Sequence, residues 1–418
     1  MRFAFRVSCF GLGTLLSLLL PVGAAAEDVL RLPIGDPARR DKTVPLVLDA
    51  ITETASGAAL TPADLPARLS AARILFVGEA HVAIESHAVE LGVIRELVRA
   101  GRKISVGLEM YPGSAQVALD DWTAGRLSEA EFLERSGWFR HWSYNWNYYR
   151  DIFVFAKDNG VRLFGANIPP ELVSAVGRKG IDSLEPAERA LLPQRVDWDN
   201  ADFKRLFKAS FDEDEFHGGM SDDMLNRMVQ AQATWDAAFG WSAVKAAKAS
   251  DDPKAIVVML VGEGHVYYGL GAERQARLWF NGKTATLVPV AISDQEKGKC
   301  SIEAVQASLA DFVWGVPEED ATRYPLPGFA TRFVQTDGKT AIIQVDKKSA
   351  AAKAGLKVGD QLLEIDGRPV AGREGIHRAF AEKRWGDAVK LGVRRGSDNV
   401  TLDLLLRRER PEPCKARG

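Results

Sequence analysis

"RILFVGEAHVAIESH", residues 73–87, runs an apolar stretch into a glycine, a carboxylate and an imidazole. Residues 74–77 read as a buried strand, because a short continuous apolar run closed by a turn residue suits a strand covered on both faces. Gly78 ends it, and Glu79 and His81 follow at once. The pattern returns 184 residues later in "AIVVMLVGEGHVYYGLG", where a second apolar run meets Gly262, Glu263 and His265. Gly-Glu-x-His therefore occurs twice, each time at a strand end.

Working outward, strand and helix patterns alternate from about residue 44 to 291. Residues 85–103 carry a helical stripe of Val89, Ile94, Leu97 and Val98 stopped by Gly101. Residues 104–108 form a strand ending in Glu109, and 161–165 a strand ending near Asn167. Residues 256–261 precede Glu263 and His265, and "ATLVPVAIS" reads as the last strand. Such alternation predicts an α/β fold, a mainly parallel sheet flanked by helices. Residues 181–250 break the rhythm and read as an all-helical cap. In an open parallel sheet, ligands bind beyond the carboxyl ends of the strands. Glu79, His81, Glu109, Asn167, Glu263 and His265 all stand at that end. Imidazole and carboxylate suit zinc, manganese or cobalt, and equally serve as general acid and base. His87 follows His81 by six residues, more than a helical turn, and stands apart from this set with a surface position as its plain alternative.

The bounds agree with a soluble enzyme or binding protein. The chain has 418 residues, 46% hydrophobic and 26% charged, and a net charge of −2, which gives no reason to expect nucleic acid as a partner. Residues 1–26 read as a cleavable signal peptide: Arg2 and Arg6, an apolar core over 10–20, then small residues before Glu27. Cys9 precedes the apolar core and is badly placed for a lipid anchor. A periplasmic or secreted protein is expected, with no transmembrane span after cleavage, 52 basic against 56 acidic residues and a charge of −4. An oxidising compartment permits a Cys300–Cys414 bridge, and two separate thiols remain the alternative. The acidic run 212–215 lacks the ligand spacing of a calcium loop and reads as a solvated loop.

Taken together, "LFVGEAHVAIESH", "VGLEMYP", "WFRHWSYNWNYY", "VRLFGANIP", "AQATWD" and "VVMLVGEGHVYYGLG" resemble the ChaN-like haem-binding uptake proteins of the Tiki superfamily over roughly residues 66–292. The resemblance implies an α/β fold with a small helical subdomain, and it divides on function. Its ChaN side implies haem binding and iron uptake. Then the aromatic stretch 138–149, with His141, Tyr144, Tyr148 and Tyr149, and Asn167 nearby, offers a wall for a flat macrocycle. Core filling by the same rings is the alternative. Its Tiki side implies a metal-dependent peptidase. There His81, His265 and Glu109 carry the metal with Glu263 beside them, and Glu79 or Glu109 serves as the base. Gln232 and Asp236 of "AQATWD" are expected on a helix that orients these groups.

After a charged linker, 296–322, residues 323–408 resemble a PDZ domain of the bacterial protease kind, a small barrel-like sheet with helices, followed by a tail, 409–418. PDZ domains bind C-terminal peptides by strand addition and hold the carboxylate on backbone N–H groups. By motif position that loop is Leu326, Pro327, Gly328 and Phe329. The first domain then spans 27–295. Two functions stay open: a haem- or iron-handling protein with a peptide-binding arm, favoured by motif order, and a metal-dependent hydrolase whose PDZ domain recruits substrate.

Overall fold

Strands β1 Thr43–Pro45, β2 Ile51–Glu53, β3 Ala58–Leu60, β4 Ile74–Glu79, β5 Ile104–Pro112, β6 Arg162–Asn167, β7 Ile256–Gly262, β8 Thr284–Ile292, β9 Ala304–Gln306 and β10 Phe312–Pro317 build the first domain. The computed structural model describes residues 29–210, 221–293, 302–319, 322–334, 338–370 and 372–408. The expected signal peptide with its junction at Glu27, the acidic run 212–215, Cys300, Cys414 and the tail lie outside the described residues.

Eight strands form one sheet in the order β3-β2-β10-β8-β4-β7-β5-β6. The six from β10 to β6 are parallel, and β2 and β3 close one edge antiparallel. β4 and β7 are buried at every position, as strands covered on both faces must be. Ile74, Leu75, Phe76 and Val77 are all fully buried, each such side chain contributing about 1.5–3 kcal/mol. β7 lies between β4 and β5, so three chain-distant strand ends become neighbours, about 4.8 Å apart per step. β4 leads to β5 on one side and β7 to β8 on the other. The connections therefore leave in opposite directions, and a crevice opens at the carboxyl ends.

The helices that shape this crevice are α1 Ile84–Arg99, α2 Trp138–His141, α3 Arg150–Asp158, α4 Pro170–Lys179, α5 Ala201–Ala209 and α6 Asp222–Lys248. α1 buries Val89, Val93, Ile94 and Leu97 and stops before Gly101, whose φ of +72° suits the left-handed turn that ends a helix. Between β6 and β7 the described residues form helices and no strands, starting earlier than the expected cap, at Pro170. A larger departure concerns the expected linker 296–322. β10 pairs with both β8 and β2, inside the sheet, and β9 pairs with β1. "ATLVPVAIS" is therefore not the last strand, and the first domain's sheet extends to Pro317. The apolar run in β10 fills the space between β8 and the antiparallel edge.

The C-terminal domain has its own sheet: β11 Phe329–Val334, β12 Lys339–Val345, β13 Gln361–Ile365, β14 Arg368–Pro369, β15 Ala388–Arg395 and β16 Asp398–Leu405. The order is β11-β12-β13-β15-β16, with β14 on β13, so β11 is an edge. Helix α7 Gly372–Ala381 lies along it: Phe380 faces Phe329 at 6.2 Å, and Phe333 stands against Gly372. Ile342, Leu362, Ile376, Phe380, Val389 and Leu391 form a separate core.

The outer face of α7 docks on the first domain. His377 Nδ1 lies 3.0 Å from the Phe139 carbonyl, and Asn145 Nδ2 donates to the Ala381 carbonyl at 2.9 Å. Arg378 pairs with Glu134 at 3.0 Å and covers the Phe139 ring at 4.6 Å. Residues 377, 378 and 381 share one helical face, so this is a continuous seam.

Burial pushes the His377 imidazole down to about 4 from its ordinary 6.5, with the Arg373 charge adding to it and the bond to Phe139 opposing it. The docked state therefore prefers neutral His377. Docking is at full strength above pH 6.5 and weakens as pH falls toward 4. At pH 5 the docking equilibrium should have weakened roughly thirtyfold. Small-angle scattering of the full chain should show expansion between pH 7 and pH 5, abolished in His377→Leu. A radius of gyration equally pH-dependent in His377→Leu would contradict this.

Candidate active site

His81 and His265 follow β4 and β7, while Glu109 lies within β5, which runs on past the expected end at 108 to Pro112; the adjacency of the three strands brings the residues together. In register, Glu79 of β4 stands opposite Gly262 of β7, and Leu108 of β5 opposite Leu260. A Cβ on Gly262 would lie 3.1 Å from the His81 ring, and a Cβ on Gly78 would lie 3.0 Å from the Glu263 Cα. Each motif's glycine therefore leaves the space that the other motif's functional residues occupy. That is the physical reason for glycine at both positions.

Each imidazole has its Nδ1 on a buried carboxylate. His81 Nδ1 donates to Glu79 Oε1 at 2.5 Å, and His265 Nδ1 to Asp236 Oδ1 at 2.6 Å. Asp236 and Gln232 stand four residues apart on α6 and share a face. The Gln232 amide lies 3.0 Å from the same His265 nitrogen, and Phe239 meets that ring edge-on at 4.9 Å. Nε2 of His265 lies 3.8 Å from Glu109 Oε1, while Glu109 Oε2 accepts the Gly262 N–H at 2.6 Å. His81 and Glu109 thus flank the backbone at Gly262, and His265 adjoins Glu109 to complete the three donors. They are spread more widely than Glu79, His87 and Glu90, whose ligand atoms lie within 4.8 Å of one another. Burial lowers the affinity of both His81 and His265 for a proton, but their carboxylate partners and Glu109 outweigh it, and both pKa values rise.

The two motif glutamates part company. Glu79 is 1% exposed and holds His81, with the Tyr149 hydroxyl donating to Oε1 at 2.9 Å. Burial opposes its charge, yet the His87 charge and the bonds from His81 and His87 keep it well below the usual carboxylate range. Glu79 is therefore committed to bracing, which removes it as the free base expected from sequence. Glu263 is half-buried, and burial pushes it up to about 7 against a bond from Tyr267 and the His81 charge. A carboxyl titrating there suits proton transfer at neutral pH.

His87 departs from its expected surface position. It is 3% exposed, because α1 begins only at Ile84 and the preceding turn folds His81 back over it. Its Nδ1 lies 2.9 Å from Glu90 Oε2 and 3.2 Å from Glu79 Oε2, and its Nε2 3.3 Å from the His81 carbonyl. Burial disfavours its charge, but Glu79 and Glu90 push its pKa up to about 10. Glu90 went unnoticed in the sequence. Its signal was a His and a Glu three apart on the buried stripe of a helix.

The aromatic stretch is largely core. Trp138, Trp146 and Tyr149 pack with Phe132, Phe153 and Tyr111. Tyr148 accepts the Tyr324 N–H at 3.1 Å, and Tyr149 is spent on Glu79. What faces the site is Trp142, edge-on to His81 at 5.0 Å, and Tyr144 at 4.9 Å. His141 is half-buried beside Tyr111 and Gly137, its pKa lowered by burial and by the Arg140 charge. Asn167 donates to the Glu109 carbonyl at 2.8 Å, so it sets backbone rather than lining a wall. In the second domain Gly328 takes φ +74°, and its carbonyl accepts from Ser349 Oγ and the Asp346 N–H. Leu326 packs on the first domain's core, next in sequence to Pro327, and Phe329 starts β11.

The family described as "Haem-binding uptake, Tiki superfamily, ChaN" matches residues 65–275, and the PDZ domain family matches 327–406. Protein RETICULATA-RELATED 5, chloroplastic, of Arabidopsis thaliana is 29% identical over 30% of this chain and 17% of its own length. Magnetosome formation protease MamE of Paramagnetospirillum magneticum is 45% identical over 14% of this chain and 8% of its own. The chain thus spans under a fifth of either relative. A solved structure of haem bound cofacially to ChaN of Campylobacter jejuni covers 64% of this chain and 98% of its own, at 15% identity and a TM-score of 0.48.

The interlock of the two motifs predicts a sharp effect from one methyl group. Gly262→Ala places a Cβ 3.1 Å from the His81 ring, tighter than ordinary contact, so the ring must move. The protein should fold, and the His81 ring resonances should shift while those of His377 stay. Unmoved His81 resonances in a folded Gly262→Ala protein would contradict the interlock.

Proposed function

This chain belongs to the haem-binding uptake family of the Tiki superfamily, ChaN, and carries a C-terminal PDZ domain; from that membership and the site geometry, we propose that it is a metal-dependent hydrolase, most simply a peptidase, whose PDZ domain recruits substrate by the C-terminus. One observation carries the reading. Both Gly-Glu-x-His imidazoles give Nδ1 to a buried carboxylate, which leaves Nε2 as the coordinating nitrogen beside Glu109. Two imidazoles and a carboxylate are a donor set that suits zinc, manganese or cobalt. His81, His265 and Glu109 would hold a divalent ion, which would supply an electrophile for a carbonyl oxygen and a water acidic enough to lose a proton near neutral pH.

The chain's own groups do the rest. Glu79 and Asp236 fix the tautomer and aim of the two imidazoles. Glu109 is oriented by the Gly262 N–H. Glu263, half-buried, takes and returns the proton. Trp142 and Tyr144 close the side over His81 and limit water. The PDZ edge strand β11 offers its free side to a C-terminal peptide, with Leu326 to Phe329 as the carboxylate loop. The signal peptide expected over residues 1–26 supports a periplasmic or extracellular setting for this work. No helix among the described residues is long and apolar enough to cross a membrane.

Haem is the second reading. The family's description favours it, and so does His141, a half-buried imidazole whose lowered pKa keeps it neutral and suited to iron. Titrating the full chain with zinc, manganese, cobalt and haemin, in wild type, His81→Ala, His265→Ala and His141→Ala, separates the two. The metal reading expects about 10- to 100-fold weaker metal binding or more in both motif variants, and peptide cleavage that needs both. Glu263→Gln should keep metal binding and lose about 10²–10⁴-fold in turnover. A Soret shift that depends on His141, with no metal-dependent cleavage, selects haem instead.

A further inference from the structure

Behind His81 a buried row of side chains runs back into α1: His81 to Glu79, Glu79 to His87, and His87 to Glu90. The distances are 2.5 Å, 3.2 Å and 2.9 Å. All four residues are under a tenth exposed. His87 is fixed from every side: Tyr149 and Tyr148 lie against its ring at 4.3 Å and 5.5 Å, and its Nε2 faces the His81 carbonyl at 3.3 Å.

The trio Glu79, His87 and Glu90 is close enough to hold an ion. The geometry argues for a proton there instead. His87 Nδ1 stands 2.9 Å and 3.2 Å from the two carboxylates, so its N–H occupies the place an ion would take. The second motif has no such backing. His265 is braced by Asp236 from another helix, and Glu263, the counterpart of Glu79, turns to Tyr267. A bare carboxylate costs a great deal in a core unless it is paired. His81 and Tyr149 both give to Glu79 Oε1, and the His87 ring, 3.2 Å away, is the cation that faces Oε2.

We infer that His87 is a positioning residue for the site: through Glu79 it sets the aim of His81 Nε2, so its Nδ1–H determines how tightly the first motif binds metal. The inference rests on the metal reading above.

Isosteric replacement tests it in the full-length protein. His87→Asn keeps an N–H near the Nδ1 position. His87→Gln puts its amide near Nε2 instead, and His87→Leu keeps neither. Zinc affinity by calorimetry should fall about 10- to 100-fold in Gln and Leu and stay within a few fold of wild type in Asn. The visible spectrum of bound cobalt should follow the same order, since it reports the ligand set rather than activity. Should Leu not fold, the Asn and Gln pair decides. Equal affinities and spectra for Asn and Gln would overturn the inference, because a merely structural role damages both alike. Wild type and His81→Ala, run first, keep the two readings apart. If zinc binding does not depend on His81, the metal reading fails and takes this inference with it.

Discussion

Two backbone positions without a Cβ hold the site together. The His81 ring lies where a Gly262 side chain would begin, and the Glu263 backbone lies where a Gly78 side chain would begin. Neither strand end can take its place unless the other is already shaped to receive it. The sheet order follows the same constraint: β7 sits between β4 and β5, and in-register pairing sets Glu79 against Gly262. From that contact the imidazoles, Glu109 and the crevice are fixed within a few side-chain lengths.

Burying so many polar groups at a strand end is costly, and the protein meets the cost with pairs. Each histidine is backed by a carboxylate, and Glu79 is backed in turn by His87 and Tyr149. The one motif carboxyl without a cation directly behind it, Glu263, is pushed up to about 7. The same Gly-Glu-x-His pattern thus yields two different chemistries, one rigid and one labile to protons. The same economy extends outward. The segment that presses Trp142 and Tyr144 on His81 also carries Phe139 and Asn145, which receive α7 of the PDZ domain. The segment beside His81 is therefore also the surface on which the PDZ domain's helix α7 docks.

The parallel strands were legible because doubly covered strands are continuous apolar runs, and residues following them inherit the crevice by topology. His81, Glu109 and His265 were readable for that reason, whereas Gln232 and Asp236, on a helix, were readable only through the family resemblance of "AQATWD". His87 was not. Its spacing from His81 was counted as helix, whereas the helix starts three residues after His81 and the turn reverses direction. β9 and β10 were hidden because they are short apolar runs inside a charged stretch, which composition alone reads as linker. Tyr148 and Tyr149 were grouped with the ligand wall because a sequence shows a ring but not the partner of its hydroxyl. The PDZ seam could not be seen either, since His377 looks like any helical histidine until the surface it meets is known.

A crystal soaked in zinc and measured across the zinc absorption edge tests the central claim most directly. The account predicts one anomalous peak beside Gly262, bonded at about 2.0–2.1 Å to Nε2 of both His81 and His265. A peak on only one of the two histidines, or one lodged among Glu79, His87 and Glu90, would contradict it.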